Sequence, residues 1–156
     1  MKRISISFML CICMVIAMLM KPEPAQAALG EPVDSVATDR AALKAVQGET
    51  VVRGNYSVQE IKSNLISLRE YLTSSGVVFA ITWKGLTHPD LTPLLGSFAT
   101  EYAAGLRNTP HGRGRRSSQI KTEHIVVEKW GHMRNLQGRA YLKALIPPGV
   151  KIDEIN

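Results

Sequence analysis

The sequence predicts an α+β domain in which a mostly antiparallel sheet of about five strands carries one long amphipathic helix and a short N-terminal helix. Three observations support this class. Apolar and polar residues alternate in three consecutive short runs, apolar residues then recur at helical spacing from Leu91 to Leu106, and alternation returns in two later runs. Short turns join neighbouring strands, which favours antiparallel pairing.

The first segment is typical of a secretory signal peptide. Lys2 and Arg3 precede an uncharged apolar run from Ile4 to Met20, and Ala25-Gln26-Ala27 supplies the small residues of a cleavage site. We expect cleavage after Ala27, which predicts a periplasmic or secreted protein without a membrane span. Residues 28–156 then form a single domain. The alternative is an uncleaved anchor, although this run is at the short limit for a membrane span.

Cleavage would change the composition that bears on function. The chain of 156 residues has a formal charge of +6, and removal of residues 1–27 lowers this charge to +4. Both cysteines, Cys11 and Cys13, leave with the signal. The exported domain would then have no thiol for a disulfide, a thiolate metal site or a cysteine nucleophile.

A short helix is expected at the start of the domain. Asp34 or Ser35 can cap it, because their side-chain oxygens accept hydrogen bonds from first-turn amides. Leu43 and Val46 continue one apolar face, and Gly48 is a natural residue with which to end the helix.

Three strands are expected next, over Tyr56–Ile61, Leu65–Leu72 and Val77–Trp83. The turn before the third strand ends in Gly76, which can adopt the left-handed conformation that such turns need. These strands form an antiparallel meander.

The long helix begins at a cap formed by Asp90 or Thr92, and its apolar stripe is expected to pack on the sheet. A basic loop follows at about residues 108–118, where prolyl and glycyl residues separate arginines. The last two strands are expected over Gln119–Trp130 and Leu136–Ile146. His124 is expected in the middle of the first of them.

The basic loop is the strongest electrostatic feature of the sequence. No acidic residue lies between Glu101 and Glu123, whereas five basic residues do. Arg113, Arg115 and Arg116 are therefore the candidate anion-binding loop, because guanidinium groups favour bidentate contacts with phosphate and carboxylate. The expected partner is an anionic envelope component, either lipid phosphate or acidic glycan; the alternative is a solvated loop. Nucleic acid is disfavoured, because no recognition motif accompanies the patch.

Other motifs add little chemistry. The histidines show none of the spacings that hold a metal, and no nucleophile elbow or phosphate-binding loop is present. We therefore predict no metal, no cofactor and no catalytic residues. Trp83, Trp130 and Tyr141 fall in strands, where they either pack in the core or line a carbohydrate-binding face.

Several motifs together resemble an exported bacterial family called domain of unknown function 2844. The motifs are Leu68-Arg69-Glu70-Tyr71, Gly76–Gly85, Pro89-Asp90-Leu91, Gly131-His132-Met133-Arg134 and Gly138-Arg139-Ala140-Tyr141-Leu142. The resemblance covers nearly all of residues 28–156 and implies an exported, periplasmic protein. It implies no activity, and the basic loop is not part of its pattern.

The polar residues within these motifs are the candidate functional or structural positions, namely Arg69, Glu70, His132, Arg134 and Arg139. Arg69 and Glu70 are neighbours on a strand, so one of them is expected to point inward. Three functions follow. We favour a non-catalytic envelope binding or accessory protein. The alternatives are a hydrolase or metal-assisted enzyme that uses His132 with a nearby carboxylate, and an interaction module that pairs with another exported protein through a sheet edge.

Overall fold

A computed structural model describes residues 29–32, 46–109 and 117–155 of the chain. In these residues, seven strands form one antiparallel sheet in the order β1-β2-β3-β4-β7-β6-β5. The strands are β1 Val46–Arg53, β2 Tyr56–Lys62, β3 Ile66–Thr73, β4 Val78–Gly85, β5 Ser117–Lys121, β6 Ile125–His132 and β7 Asn135–Leu142. Helix α1 (Leu91–Leu95) continues through a 3₁₀ turn (Gly96–Phe98) into helix α2 (Ala99–Asn108). None of the helices in these ranges is long and apolar enough to cross a bilayer.

The mostly antiparallel α+β architecture and the long helix are confirmed, but the prediction of about five strands is wrong. Val46–Arg53 forms β1, so the predicted helix cannot end at Gly48. The rest of that short N-terminal helix lies outside the described residues. The predicted strand Gln119–Trp130 is a hairpin of β5 and β6, and His124 lies in its turn rather than within a strand.

The main core lies on the face of the sheet that the helix covers, the helix face. Buried strand residues such as Leu68, Ile81 and Val127 contact the helix residues Leu94 and Leu95 there. Leu29, which precedes the sheet in sequence, also belongs to this layer. Leu29 is buried, and its amide donates a 3.0 Å hydrogen bond to the Leu94 carbonyl.

Contacts in its first half, α1, fix the position of the helix. Asp90 caps α1 by accepting a 2.9 Å hydrogen bond from the Thr92 amide, as the sequence predicts. The apolar stripe is less continuous than predicted, since Leu106 is 41% exposed. Helix α2 nevertheless lies close to the sheet at Gly105, where a Cβ atom would lie 2.8 Å from Cγ2 of Ile120.

The opposite face of the sheet, the open face, is divided in two. Tyr71, Phe79 and Ala80 form an apolar cluster on one half, and the C-terminal segment, residues 146–155, covers them with Ile155. Tyr56, Tyr71 and Phe79 lie with ring centroids 6.1 to 6.2 Å apart, at the tilted and edge-on angles that aromatic rings favour. The other half of this face carries polar side chains such as Arg69, Thr82 and Arg139.

Glu101 ties helix α2 to the β5–β6 turn. Its carboxylate accepts a 3.0 Å hydrogen bond from the His124 amide and lies 3.0 Å from Nδ1 of the same residue. The His124 amide first, and then the Thr122 side chain, lower the pKa of Glu101 from 4.5 to about 2.

We expect this contact to make stability depend on acid pH. A carboxyl whose pKa is lowered in the folded protein stabilises it above the unfolded value of 4.5, and this stabilisation is lost as the pH falls toward 2. Glu101→Gln should reduce the free energy of unfolding by about 1 kcal/mol at pH 7, because a partly solvated charged acceptor is lost. Urea unfolding of both proteins from pH 7 to pH 2 measures the difference, which should shrink below pH 4.5.

The neighbouring Glu123→Gln is the matched control, because Glu123 is exposed in the same turn. A constant difference between wild type and Glu101→Gln over the whole pH range would contradict the role given to the carboxylate.

Candidate ligand-binding site

The polar half of the open face contains a continuous row of side chains across six strands. Cross-strand pairing produces this row, because residues in register on antiparallel strands point to the same face. The row consists of Glu60, Arg69, Thr82, Arg139, Glu128 and Gln119, from β2 to β5. Two arginines therefore flank Thr82, and each has a glutamate on its outer side.

Glu60 holds the first arginine. Its Oε1 lies 3.5 Å from Nε of Arg69 and accepts a 3.1 Å hydrogen bond from the Ser67 hydroxyl, while its Oε2 lies 2.8 Å from Nζ of Lys62. The hydrogen bond with Lys62 is the main cause that lowers the pKa of Glu60, so this carboxylate stays ionised at neutral pH. Arg69 is thereby kept at the edge of the row with its side chain half-exposed.

The second arginine, Arg139, is more strongly fixed. Its Nε donates to Glu128, and its Nη1 donates a 2.7 Å hydrogen bond to the carbonyl of Ile152 in the C-terminal segment. The guanidinium carbon lies 5.8 Å from the centre of the Trp130 ring, within the range of cation–π attraction. Arg139 thus joins β7 to two parts of the open face, namely β6, through Glu128 and Trp130, and the C-terminal segment.

A cleft opens beside this row, and we call it the polar cleft. Its volume is about 240 Å³, and it is lined by Ser67, Arg69, Thr82, Trp83, Lys84, Trp130, Gln137 and Gly138. Trp130 pairs with Gln137 across β6 and β7, and Lys84 pairs with Gln137 across β4 and β7. The cleft is smaller than the roughly 300–1,000 Å³ of sites for drug-sized ligands, so it accommodates one small group.

A second cleft of about 430 Å³ lies on the other side of Trp130. Ser117, Gln119 and Glu128 line it together with Trp130 and Arg139. The half-exposed indole therefore stands between two clefts, and a ligand built of repeated units can contact both of its sides.

The structure separates the candidate residues that the sequence singles out. Arg69 and Arg139 belong to the row beside the polar cleft, whereas Glu70 points to the helix face, opposite Gln59, where its exposure is 0%. His132 and Arg134 lie exposed at the β6–β7 turn, where Arg134 has a φ of 66°. The basic-loop residues Arg113, Arg115 and Arg116 lie outside the described residues.

These positions bear on the enzyme hypothesis. A site that combines His132 and Arg134 with Glu70 does not form, because the carboxylate is buried on the other face of the sheet. The described ranges also contain no group of three or more histidine, cysteine, aspartate or glutamate residues that could hold a metal ion.

Sequence reasoning did not identify Ser67, Thr82, Lys84 or Gln137 as site residues. Each is a common polar residue on a strand, and only the register of β3, β4 and β7 brings them together. The side chains of the two tryptophans lie on different faces of the sheet. Trp130 and Trp83 both line the polar cleft, but the Trp83 side chain is buried on the helix face, where its Nε1 donates a 2.9 Å hydrogen bond to Nδ1 of His88.

The fold is a small α+β domain. One face of its sheet is partly apolar and partly polar, and the polar part has a cleft lined by basic and aromatic side chains. The chain belongs to the family described as "Protein of unknown function (DUF2844)", whose profile matches residues 25–155. The comparison with curated proteins gave no match.

One solved structure with a similar chain path is the crystal structure of a cysteine-rich secretory protein from Staphylococcus aureus subsp. aureus Mu50. The two chains are 11% identical with a TM-score of 0.46, and the match covers 75% of this chain. It covers 45% of the other, so this chain corresponds to less than half of that protein's length.

Proposed function

We propose that this protein is an exported, non-catalytic binding or accessory protein of the cell envelope, and that its polar cleft binds an anionic envelope component. Residues 1–27 direct export in this proposal, and cleavage follows Ala27. The observation that carries the proposal is the half-exposed Trp130 indole, which shares one cleft with the cationic side chains of Arg69 and Lys84.

The charges of the cleft favour an anionic ligand. Arg69 and Arg139 each have a glutamate as a neighbour in the row, whereas Lys84 takes part in none of the ion pairs found in the described residues. Its exposed ammonium group adds positive charge to the cleft, and the planar guanidinium of Arg69 suits a carboxylate or phosphate.

The shape of the site favours acidic glycan as the source of that anion. A partly exposed indole offers a flat apolar surface, and the neighbouring amide and hydroxyl groups of Gln137, Ser67 and Thr82 offer hydrogen bonds to sugar hydroxyls. The clefts on both sides of Trp130 suit consecutive sugar units better than a single phosphate head group.

Isothermal titration calorimetry with three probes tests the proposal. The probes are uronic-acid oligosaccharides, neutral oligosaccharides of equal length and phosphatidylglycerol vesicles. We expect measurable binding of the acidic oligosaccharide, weaker binding of the neutral one, and weakening by added salt, because exposed charges are screened. Binding to the vesicles alone would indicate that the ligand is lipid phosphate and not glycan. Binding to none of the three would contradict the proposal.

Two substitutions locate the binding site. Trp130→Ala should lower the affinity for the acidic oligosaccharide by more than about tenfold, because buried aromatic contacts dominate binding energies. Lys84→Gln should lower it by about fivefold, as expected for one solvent-screened charge. Lys151→Gln is the matched control, since it removes the same charge from an exposed residue outside the cleft. Equal losses in Lys84→Gln and Lys151→Gln would show that only net charge matters.

The contribution of the basic loop to binding is tested separately, with the same acidic oligosaccharide. Ser117, which follows Arg116 in the sequence, pairs with Trp130 and lines the second cleft. Replacing Arg113, Arg115 and Arg116 by Ala together should weaken acidic-oligosaccharide binding and its salt dependence. An unchanged affinity would remove the loop from the site and leave the cleft residues as the binding determinants.

A further inference from the structure

The edge strand β1 has features of a protein interface. In the described part of the chain it pairs only with β2, and its Val51 and Val52 are 40% and 75% exposed. The other edge strand, β5, is shorter, and its exposed residues are Ser117, Ser118, Gln119 and Lys121. Charged residues protect an edge strand from pairing with strands that lack complementary charges, whereas exposed valines favour pairing.

We propose that β1 pairs antiparallel with β1 of a second copy of this chain, about a twofold axis at Val51. This register places Glu49 opposite Arg53 of the second copy, and the twofold axis repeats the pair on the other side of the interface. Thr50 then lies opposite Val52 of the second copy. Opposite charges and apolar contacts in register are the arrangements that stabilise neighbouring strands.

The backbone of β1 is compatible with this register. Gly54 and Asn55 form a two-residue turn with Gly54 at a φ of 57°, and Arg53 pairs with Tyr56 across it. The pair that closes such a turn exchanges its hydrogen bonds within the hairpin, so the amides of Arg53 and Val51 point to β2. Those of Thr50 and Val52 point outward, toward the second copy.

Other registers are less complementary. A shift by two residues keeps the outward amides opposite each other but separates Glu49 from Arg53 of the second copy. Glu49, Val51 and Arg53 line one groove on the open face, so their side chains project from the same side of the strand. The β-bulge of β1 lies between Gln47 and Thr50 and therefore includes Glu49, whose side chain still lines the same groove as Val51 and Arg53.

A second copy is favoured over a different protein because the strand is complementary to itself. A twofold interface uses the same surface on both partners, so each residue must find its complement within the same strand. The segment Glu49–Arg53 meets this condition, with an acidic residue and a basic residue at equal distances from Val51. The predicted dimer has one continuous sheet that crosses both copies.

Sedimentation equilibrium of the exported protein, as isolated from the expressing cells, tests the dimer. We expect a concentration-dependent monomer–dimer equilibrium in the wild type. Glu49→Arg and Arg53→Glu, made separately, should each raise the dissociation constant by about tenfold, because two attractive pairs become repulsive. The double variant should restore the wild-type value, because it restores both pairs in reversed order.

Circular dichroism confirms that each variant keeps its sheet, and Glu123→Arg on the distant β5–β6 turn controls for the change in net charge. A protein that stays monomeric up to about millimolar concentration would overturn the inference, because such weak association would leave almost no dimer at lower concentrations. The inference would also be overturned if the single charge reversals left the dissociation constant unchanged, or if the double variant did not restore the wild-type value. Ligand binding in the polar cleft is measured separately and does not depend on this result.

Discussion

Gly138→Ala should destabilise the protein by about 3 kcal/mol, because the indole of Trp83 and the backbone of β6 leave no space for a side chain at this position in β7. A Cβ atom on Gly138 would lie 2.2 Å from Cζ2 of Trp83 and 2.6 Å from the Glu128 carbonyl. The indole cannot move without losing its packing on the helix face and its hydrogen bond to His88. Urea unfolding at neutral pH measures the loss.

Gly54→Ala is the comparison for this effect. Gly54 has a φ of 57° but no neighbouring atom within 4 Å of a Cβ atom, so only the backbone cost of about 1 kcal/mol should appear. In addition, Trp83→Leu should offset part of the loss in a double variant with Gly138→Ala, because the smaller side chain leaves room for the methyl group. Equal effects of Gly138→Ala and Gly54→Ala would contradict the account of this contact.

Arg139→Met should cost about 2 to 3 kcal/mol and should release the C-terminal segment from the sheet. Methionine keeps much of the aliphatic stem but removes the hydrogen bonds to Glu128 and to the Ile152 carbonyl. Both side chains of the ion pair are less than one fifth exposed, so the remaining carboxylate is left partly desolvated without its partner. Urea unfolding measures the stability, and digestion with carboxypeptidase measures the release of the segment.

Arg69→Met provides a matched control in the same row. Arg69 is about half-exposed and lies 3.5 Å from Glu60, so its ion pair should contribute less than about 1 kcal/mol. We therefore expect little loss of stability and unchanged resistance to carboxypeptidase in Arg69→Met. Comparable losses in the two variants would mean that Arg139 does not anchor the C-terminal segment.

The fold was predictable where local sequence carries the signal. The alternation in β2, β3 and β4, the cap at Asp90 and the left-handed Gly76, which has a φ of 78°, all follow from neighbouring residues. The β5–β6 turn could not be predicted in this way, because it contains no glycine or proline. Hydrogen bonds between Thr122 and Ile125, together with Glu101 on helix α2, hold that turn instead.

The site was less predictable than the fold. Arg69 and Arg139 were candidates because they lie in family motifs, but their common row depends on the register of β3, β4 and β7. Glu70 and Trp83 looked like equally good candidates, and the alternation of side chains along their strands places both on the helix face. Pairing over long sequence separations decides such positions, and a single sequence does not reveal it.

The most direct test of the binding proposal is an NMR titration of the ¹⁵N-labelled protein with uronic-acid oligosaccharide. We expect shifts at the Trp130 indole N–H and at the backbone amides of Lys84 and Gln137, which share the polar cleft. The Trp83 indole N–H, which is bonded to His88 within the core, should stay unchanged. Shifts that leave Trp130 unaffected, or no shifts at saturating oligosaccharide, would contradict the proposal that this cleft binds an acidic glycan.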